Sequence, residues 1–246
     1  HPLYASMLVM ISLIFSTSIY KTLKHSFTKF LFFISIAFLC CQLILLARKG
    51  PILISAIISI VYFLSLKKRK GLGYFILMLI IFVLLIFSNQ LLKERFYEFL
   101  SVILNPDLNN IGSTSTRLRI YNFSLEAISK APIFGHGIGD VKDILSKFYI
   151  ENNSTYFNSH NQFLGAWLSC GIMGFISLLS IFVISFKKAV KSRDFIYFSV
   201  LFLFFTMALI ENFIEKQNGI LLFSFLLNFF AFKEADNYKK KEANAK

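Results

Sequence analysis

His160 and Asn161 head the stretch SHNQFLGAWLSCGIMG, residues 159–174, which turns apolar after Gln162. An imidazole is the side chain best suited to take a proton near neutral pH, so this histidine is a candidate general base. Two further groups of residues carry a complementary chemistry: Arg117 and Arg119 in STSTRLRIYN, and Arg48 with Lys49 in LLARKGP. Guanidinium forks bind phosphate oxygens two at a time, and a base beside them suits attack by a hydroxyl on a diphosphate-bearing substrate. Each residue also has a plain reading. A histidine can simply cap a helix at a membrane interface beside Trp167, and arginines can snorkel to lipid headgroups. The catalytic reading requires all of them on one side of a membrane.

Composition supplies the membrane. Of the 246 residues 56% are hydrophobic and only 16% charged, and the mean hydropathy is +0.66, which excludes an ordinary water-soluble domain. The net charge of +13 sits in short clusters between apolar runs, the pattern of loops that orient a membrane chain. Nucleic acid is therefore not an expected partner. Cys40, Cys41 and Cys170 fall inside apolar runs and read as small core hydrophobes, without disulfide or metal spacing. The chain starts at His1 and goes directly into an apolar run, so it reads as the C-terminal part of a longer protein.

A crossing of ~30 Å of hydrocarbon needs roughly 20 apolar residues, and the sequence predicts seven such spans. They lie near 3–20, 30–47, 51–66, 73–92, 162–186, 195–213 and 218–232. The dense basic clusters at 21–29, 67–70, 187–193 and 233–246 fall on alternate connections and are expected to be cytoplasmic. His1, the Arg48 turn, residues 93–161 and the turn near 216 are then external, and so are His160 and the arginines. The expected organisation is all-α: four spans in 1–92, an external domain in 93–161, three spans in 162–232 and a basic cytoplasmic tail in 233–246.

The external segment predicts two amphipathic helices. One has Ser and Thr caps, a face of Leu118, Tyr121, Leu125 and Ile128, and Pro132 beyond its end; the other is capped by Asp140 with Val141, Ile144, Leu145 and Phe148 on one face. They would lie on the outer membrane surface or cover a cavity between spans. Between them, PIFGHGIGD has no preceding strand to make it a dinucleotide loop. It reads as a tight turn needing positive φ, or as a backbone nest for an anion. After His160, the stripe Phe163, Leu164, Trp167, Gly171 and Gly174 follows one helical face, with GIMG expected to touch a neighbouring helix about 16 Å deeper, near mid-bilayer.

Two motifs in order resemble the O-antigen ligase and O-antigen polymerase family of bacterial membrane proteins. The first is RLRIYNFSLEAISKAPIFGHGIGD: Arg117, the aromatic Tyr121, Pro132, then Gly135, Gly137 and Gly139. The second is His160-Asn161 followed by Gly171 and Gly174. The likeness covers about residues 113–186. LLARKGP is similar to the family's other arginine site, although Ala47 stands where a small hydroxyl residue is usual. Tyr121 likewise stands where tryptophan is commoner. Family members have more spans than these seven, so donor-site residues on earlier helices would lie outside this sequence.

The resemblance implies a GT-C-like membrane glycosyltransferase of the bacterial inner membrane with its active site on the periplasmic side. It implies a donor glycan on undecaprenyl diphosphate, a glycan or lipid-core hydroxyl as acceptor, surrounding membrane lipids, and neither metal nor other cofactor. Asp140 and Asp143 are spaced as helix-start residues instead of a metal-binding pair. On this reading Arg117 and Arg48 hold the diphosphate and stabilise the leaving group, while His160 orients or deprotonates the acceptor. Arg119, Lys49, Asn161 and Tyr121 would line the substrate site. A lipid-linked glycan transporter or a non-catalytic membrane subunit are the competing classes. A transporter would want charges along a mid-membrane path, whereas the spans carry neutral Gln42, Asn89 and Asn228, with Glu211 and Glu215 near an end. Ligase, polymerase and protein O-glycosylation are not separated by these residues.

Overall fold

The computed structural model describes residues 2–46, 50–51, 53–58, 90–104, 113–151 and 158–244, and all regular structure among them is helical. The chain divides into two compact units, His1–Leu118 and Arg119–Lys246.

In the first unit, helix α1 (Pro2–Ile19) turns through a short 3-10 segment at Tyr20–Thr22 into α2 (Ser26–Leu45). Both are long and apolar enough to cross a membrane. Their hydroxyls are absorbed within the helices: Ser6, Ser16 and Ser35 each donate to a carbonyl three or four residues back, as apolar surroundings demand. α1 buries Leu3, Met7, Met10 and Ile14, whereas α2 leaves Phe27, Phe30, Phe33 and Phe38 exposed. Phenylalanines on an exposed face fit a lipid-contacting surface. The amphipathic α3 (Gln90–Leu104) reaches the start of α4 (Ser113–Lys130), where the Glu98 carboxylate accepts the Thr114 N–H at 2.8 Å. A cap of α4 thus comes from a neighbouring helix. The third and fourth expected spans fall largely outside the described residues, as do Arg48 and Lys49.

In the second unit α5 (Val141–Glu151), α6 (Gln162–Ser192), α7 (Phe195–Ile210) and α8 (Gln217–Asn244) follow in order. Ile120, Ala127 and Ile128 of α4 pack with Leu145 and Tyr149 of α5 and Leu168 of α6 in one buried cluster. This corrects the expected face of α4. Leu125 is half exposed, because contact with α5 and α6 rotates Ile120, Ser124, Ala127 and Ile128 inward. Burial pushes the Tyr149 phenol above its ordinary range, and the protonated hydroxyl donates to the Asn158 carbonyl at 2.6 Å.

α6 is long and apolar enough to span, and α7 is a shorter apolar helix of 16 residues. Aromatic rings join the last three helices. Phe163 and Phe182 of α6 meet Phe205 of α7, and Phe204 of α7 meets Phe223 of α8. At the basic end, Asp194 caps α7 by accepting the Ile196 and Tyr197 N–H groups and pairs with Lys233 of α8.

Helix α6 is broken at Gly171, which has φ +65° and ψ −160°. Nine residues precede the break and 21 follow it, of which those before Lys187 are apolar and rise ~22 Å. The break divides the helix into a short segment that begins at Asn161 and a long one that runs to the basic end. The structure corrects the expected partner of Gly171: a Cβ there would lie 1.9 Å from the Ile133 carbonyl oxygen, in the loop between α4 and α5.

Candidate active site

His160 adopts φ +46°, a left-handed backbone that costs a non-glycine residue about 1–3 kcal/mol and persists only where its surroundings enforce it. Three contacts do so. Its N–H donates to Asn158 Oδ1 (3.3 Å), its carbonyl accepts from the Tyr121 hydroxyl (3.1 Å), and its ring Nδ1 lies 3.2 Å from Glu211 Oε2. The same Tyr121 hydroxyl is 3.0 Å from the Leu209 carbonyl, so the tyrosine of α4 bridges the start of α6 and the end of α7. The His160 and Glu211 side chains are only 15% and 18% exposed, which limits screening of their interaction by water and salt. With Nδ1–H donating to the carboxylate, proton transfer falls to Nε2.

Asn161 begins α6 in an extended conformation, and its Oδ1 accepts the Phe163 and Leu164 N–H groups at 2.9 and 3.2 Å. It is a helix cap, which fixes the residue immediately after the histidine. Around this pair, two chain segments are tied together closely. Asn212 Nδ2 donates to Ser159 Oγ (3.1 Å) and to Glu215 Oε1; Gln162 Oε1 accepts the Ile214 N–H (2.9 Å). Gly165 leaves the room, since a Cβ there would lie 2.6 Å from Asn212 Nδ2.

The structure thus brings together His160, Asn161 and Tyr121. Arg119 is half-buried on α4 two residues before Tyr121, a spacing that puts it on a different side of that helix. Arg117, also half-buried, stands four residues before Tyr121. Among the described residues no group of three or more His, Cys, Asp or Glu could hold a metal ion. PIFGHG is a turn whose backbone is already engaged. Gly135 and Gly137 have positive φ, and the His136 and Gly137 N–H groups donate to the Leu168 and Ser169 carbonyls, so these two are not donors for an anion.

Residues 30–179 match the family described as O-antigen ligase, well over half of the chain. The chain belongs to the O-antigen ligase family. The matched region holds Arg48, Arg117, Tyr121, His160 and Asn161, and its last residues follow the Gly171 break. An uncharacterized protein of Haemophilus influenzae is 28% identical over 159 residues, 60% of this chain and 40% of that protein. The chain thus spans well under half the length of that relative.

Glu211, Asn212 and Ser159 were not singled out by sequence as site residues, and two of them lie beyond the family match. Glu211 is 51 residues from His160, so no local motif joins them. The one available signal was ENFIE, two carboxylates and an amide in a short gap between apolar runs.

Proposed function

We propose that this chain carries the acceptor-activating centre of a membrane glycosyltransferase, which moves a glycan from undecaprenyl diphosphate to an acceptor hydroxyl at the periplasmic face of the bacterial inner membrane. Seven spans in a GT-C-like arrangement, with residues 93–161 as the external domain, complete this reading. The observation that carries it is the Glu211 carboxylate on His160 Nδ1, within a backbone held in an uncommon conformation by three separate contacts. A carboxylate on one ring nitrogen orients a histidine and stabilises the imidazolium formed when the other nitrogen takes a proton.

In the proposed step His160 Nε2 removes the proton of the acceptor hydroxyl as its oxygen attacks the anomeric carbon. The bond from that carbon to the diphosphate breaks, and undecaprenyl diphosphate leaves with the electron pair. Attack opposite the leaving group inverts the anomeric configuration. Arg117 and Arg48 receive the growing negative charge, a role supported by guanidinium chemistry and the family membership. Arg119, Lys49 and Tyr121 complete the substrate contacts.

The test is complementation of a deletion strain, read as the surface-glycan pattern on gels. His160→Ala is expected to abolish glycan transfer while the protein still accumulates in the membrane; full activity would remove the mechanism. The deletion itself separates the enzyme subclasses. Loss of ladders with single repeats retained indicates a polymerase, and finished chains left on the lipid carrier indicate a ligase.

A further inference from the structure

The loop between α4 and α5 has two sides with opposite character. Its backbone is spent on the break in α6. The Leu168 carbonyl, which would ordinarily accept from Ile172 in an unbroken helix, accepts the His136 N–H at 2.7 Å, and the Ser169 carbonyl accepts the Gly137 N–H at 3.0 Å. In exchange the Pro132 carbonyl accepts the Ile172 N–H (3.0 Å) and Trp167 Nε1–H (2.9 Å). Gly135 N–H donates to Ala131, Asp140 N–H to Gly137, and Pro132 has no N–H to satisfy. Irregular backbone survives in a bilayer only where such groups are paired internally.

The other side is large and apolar. Ile133 is 61% exposed, Phe134 87% and Ile138 81%, three hydrophobic side chains within six residues. On α6 just past the break, Met173 and Ile176 are exposed as well, and Ile181, Val183 and Ile184 continue an exposed apolar surface down that membrane-spanning helix. The loop abuts α6 at Gly171, where the Ile133 carbonyl fills the space a side chain would take.

We propose that residues 133–138 form a membrane-embedded wedge: Phe134, Ile138 and Ile133 contact lipid acyl chains beside the Gly171 break, extending the lipid-facing surface of α6. The pairing of the Gly135, His136 and Gly137 N–H groups lowers the penalty for entering lipid, and the three side chains supply apolar area. The wedge would fix the height of the α4–α5 domain over the bilayer. It depends on the membrane span of α6 and stands whether or not the chain transfers glycans.

The test uses the full-length protein in phosphatidylcholine vesicles, with Cys40, Cys41 and Cys170 replaced by serine and Phe134→Cys carrying an environment-sensitive fluorophore. Ile138→Cys is the second labelled site, should the first variant fail to fold, and Leu125→Cys on the exposed side of α4 is the comparison. The expected result is loss of emission with nitroxide-labelled lipids and protection from aqueous iodide at positions 134 and 138, the reverse of position 125. Quenching by iodide alone would place the loop in water and overturn the proposal. Insensitivity to both quenchers would show the patch covered by protein, which equally overturns it.

Discussion

At the scale of single residues, the candidate centre depends on how His160 is held. Its ring is oriented by Glu211, its carbonyl by Tyr121 and the following residue by the Asn161 cap. Replacing Glu211 by Gln keeps an acceptor for Nδ1–H but removes the negative charge on which the proposed proton transfer relies. General acid–base catalysis contributes about 10²–10⁴-fold, so Glu211→Gln is expected to lose a large part of that factor in turnover. KM for the lipid-linked donor should change little, and Glu211→Asp should recover part of the rate. A purely structural role predicts instead that all variants lower the amount of folded protein and leave the rate per molecule unchanged. Asn161→Ala removes two capping hydrogen bonds and is expected to cost about 1 kcal/mol of stability, read as a lower unfolding midpoint in detergent.

At the scale of elements, the break in α6 organises its surroundings. An uninterrupted helix would hide the Leu168 and Ser169 carbonyls, and the loop after α4 would have no docking site. Gly171→Ala must place a methyl group 1.9 Å from a backbone oxygen while holding φ at +65°. Gly135→Ala meets Gly171 N at 2.5 Å from the opposite side. Neither obstacle is the flexible end of a side chain, so each substitution is expected to separate loop from helix. The measurement is protease sensitivity at 131–140 together with thermal stability in detergent; wild-type resistance in both variants would contradict the account. The spacing of GIMG suits a place where two helices meet. The same glycines instead admit a loop and leave room beside Ala166 and Cys170 at the break, a use that sequence spacing does not distinguish from helix packing.

At the scale of the whole molecule, charge sets the proposed orientation. The lysines and arginine at 187–193 and the tail lie at one end of α6 and α8, and residues 211–216, which adjoin His160, at the other. Lys216→Cys and Lys191→Cys, made without the native cysteines, test this directly with a membrane-impermeant maleimide. Position 216 is expected to react from outside the inner membrane and position 191 only after lysis. The opposite pattern would put the histidine on the cytoplasmic side and remove the periplasmic reaction.

The sequence alone determined the class of the molecule and the motifs of its family. Apolar length, charge clustering and the spacing of Arg117, Tyr121, Pro132 and His160 are properties of consecutive residues, and each has a local physical cause. It also marked Asn161 beside the histidine, because a helix cap is a local event. What the tertiary structure decided is the company these residues keep. The carboxylate on His160 comes from Glu211, past the end of another helix; the tyrosine that holds its carbonyl comes from α4. The partner of Gly171 is a loop far earlier in the chain, at Pro132 and Ile133. Such pairings arise from the packing of helices against one another, and the polar groups they join are far apart along the chain, so no periodicity in the sequence records them.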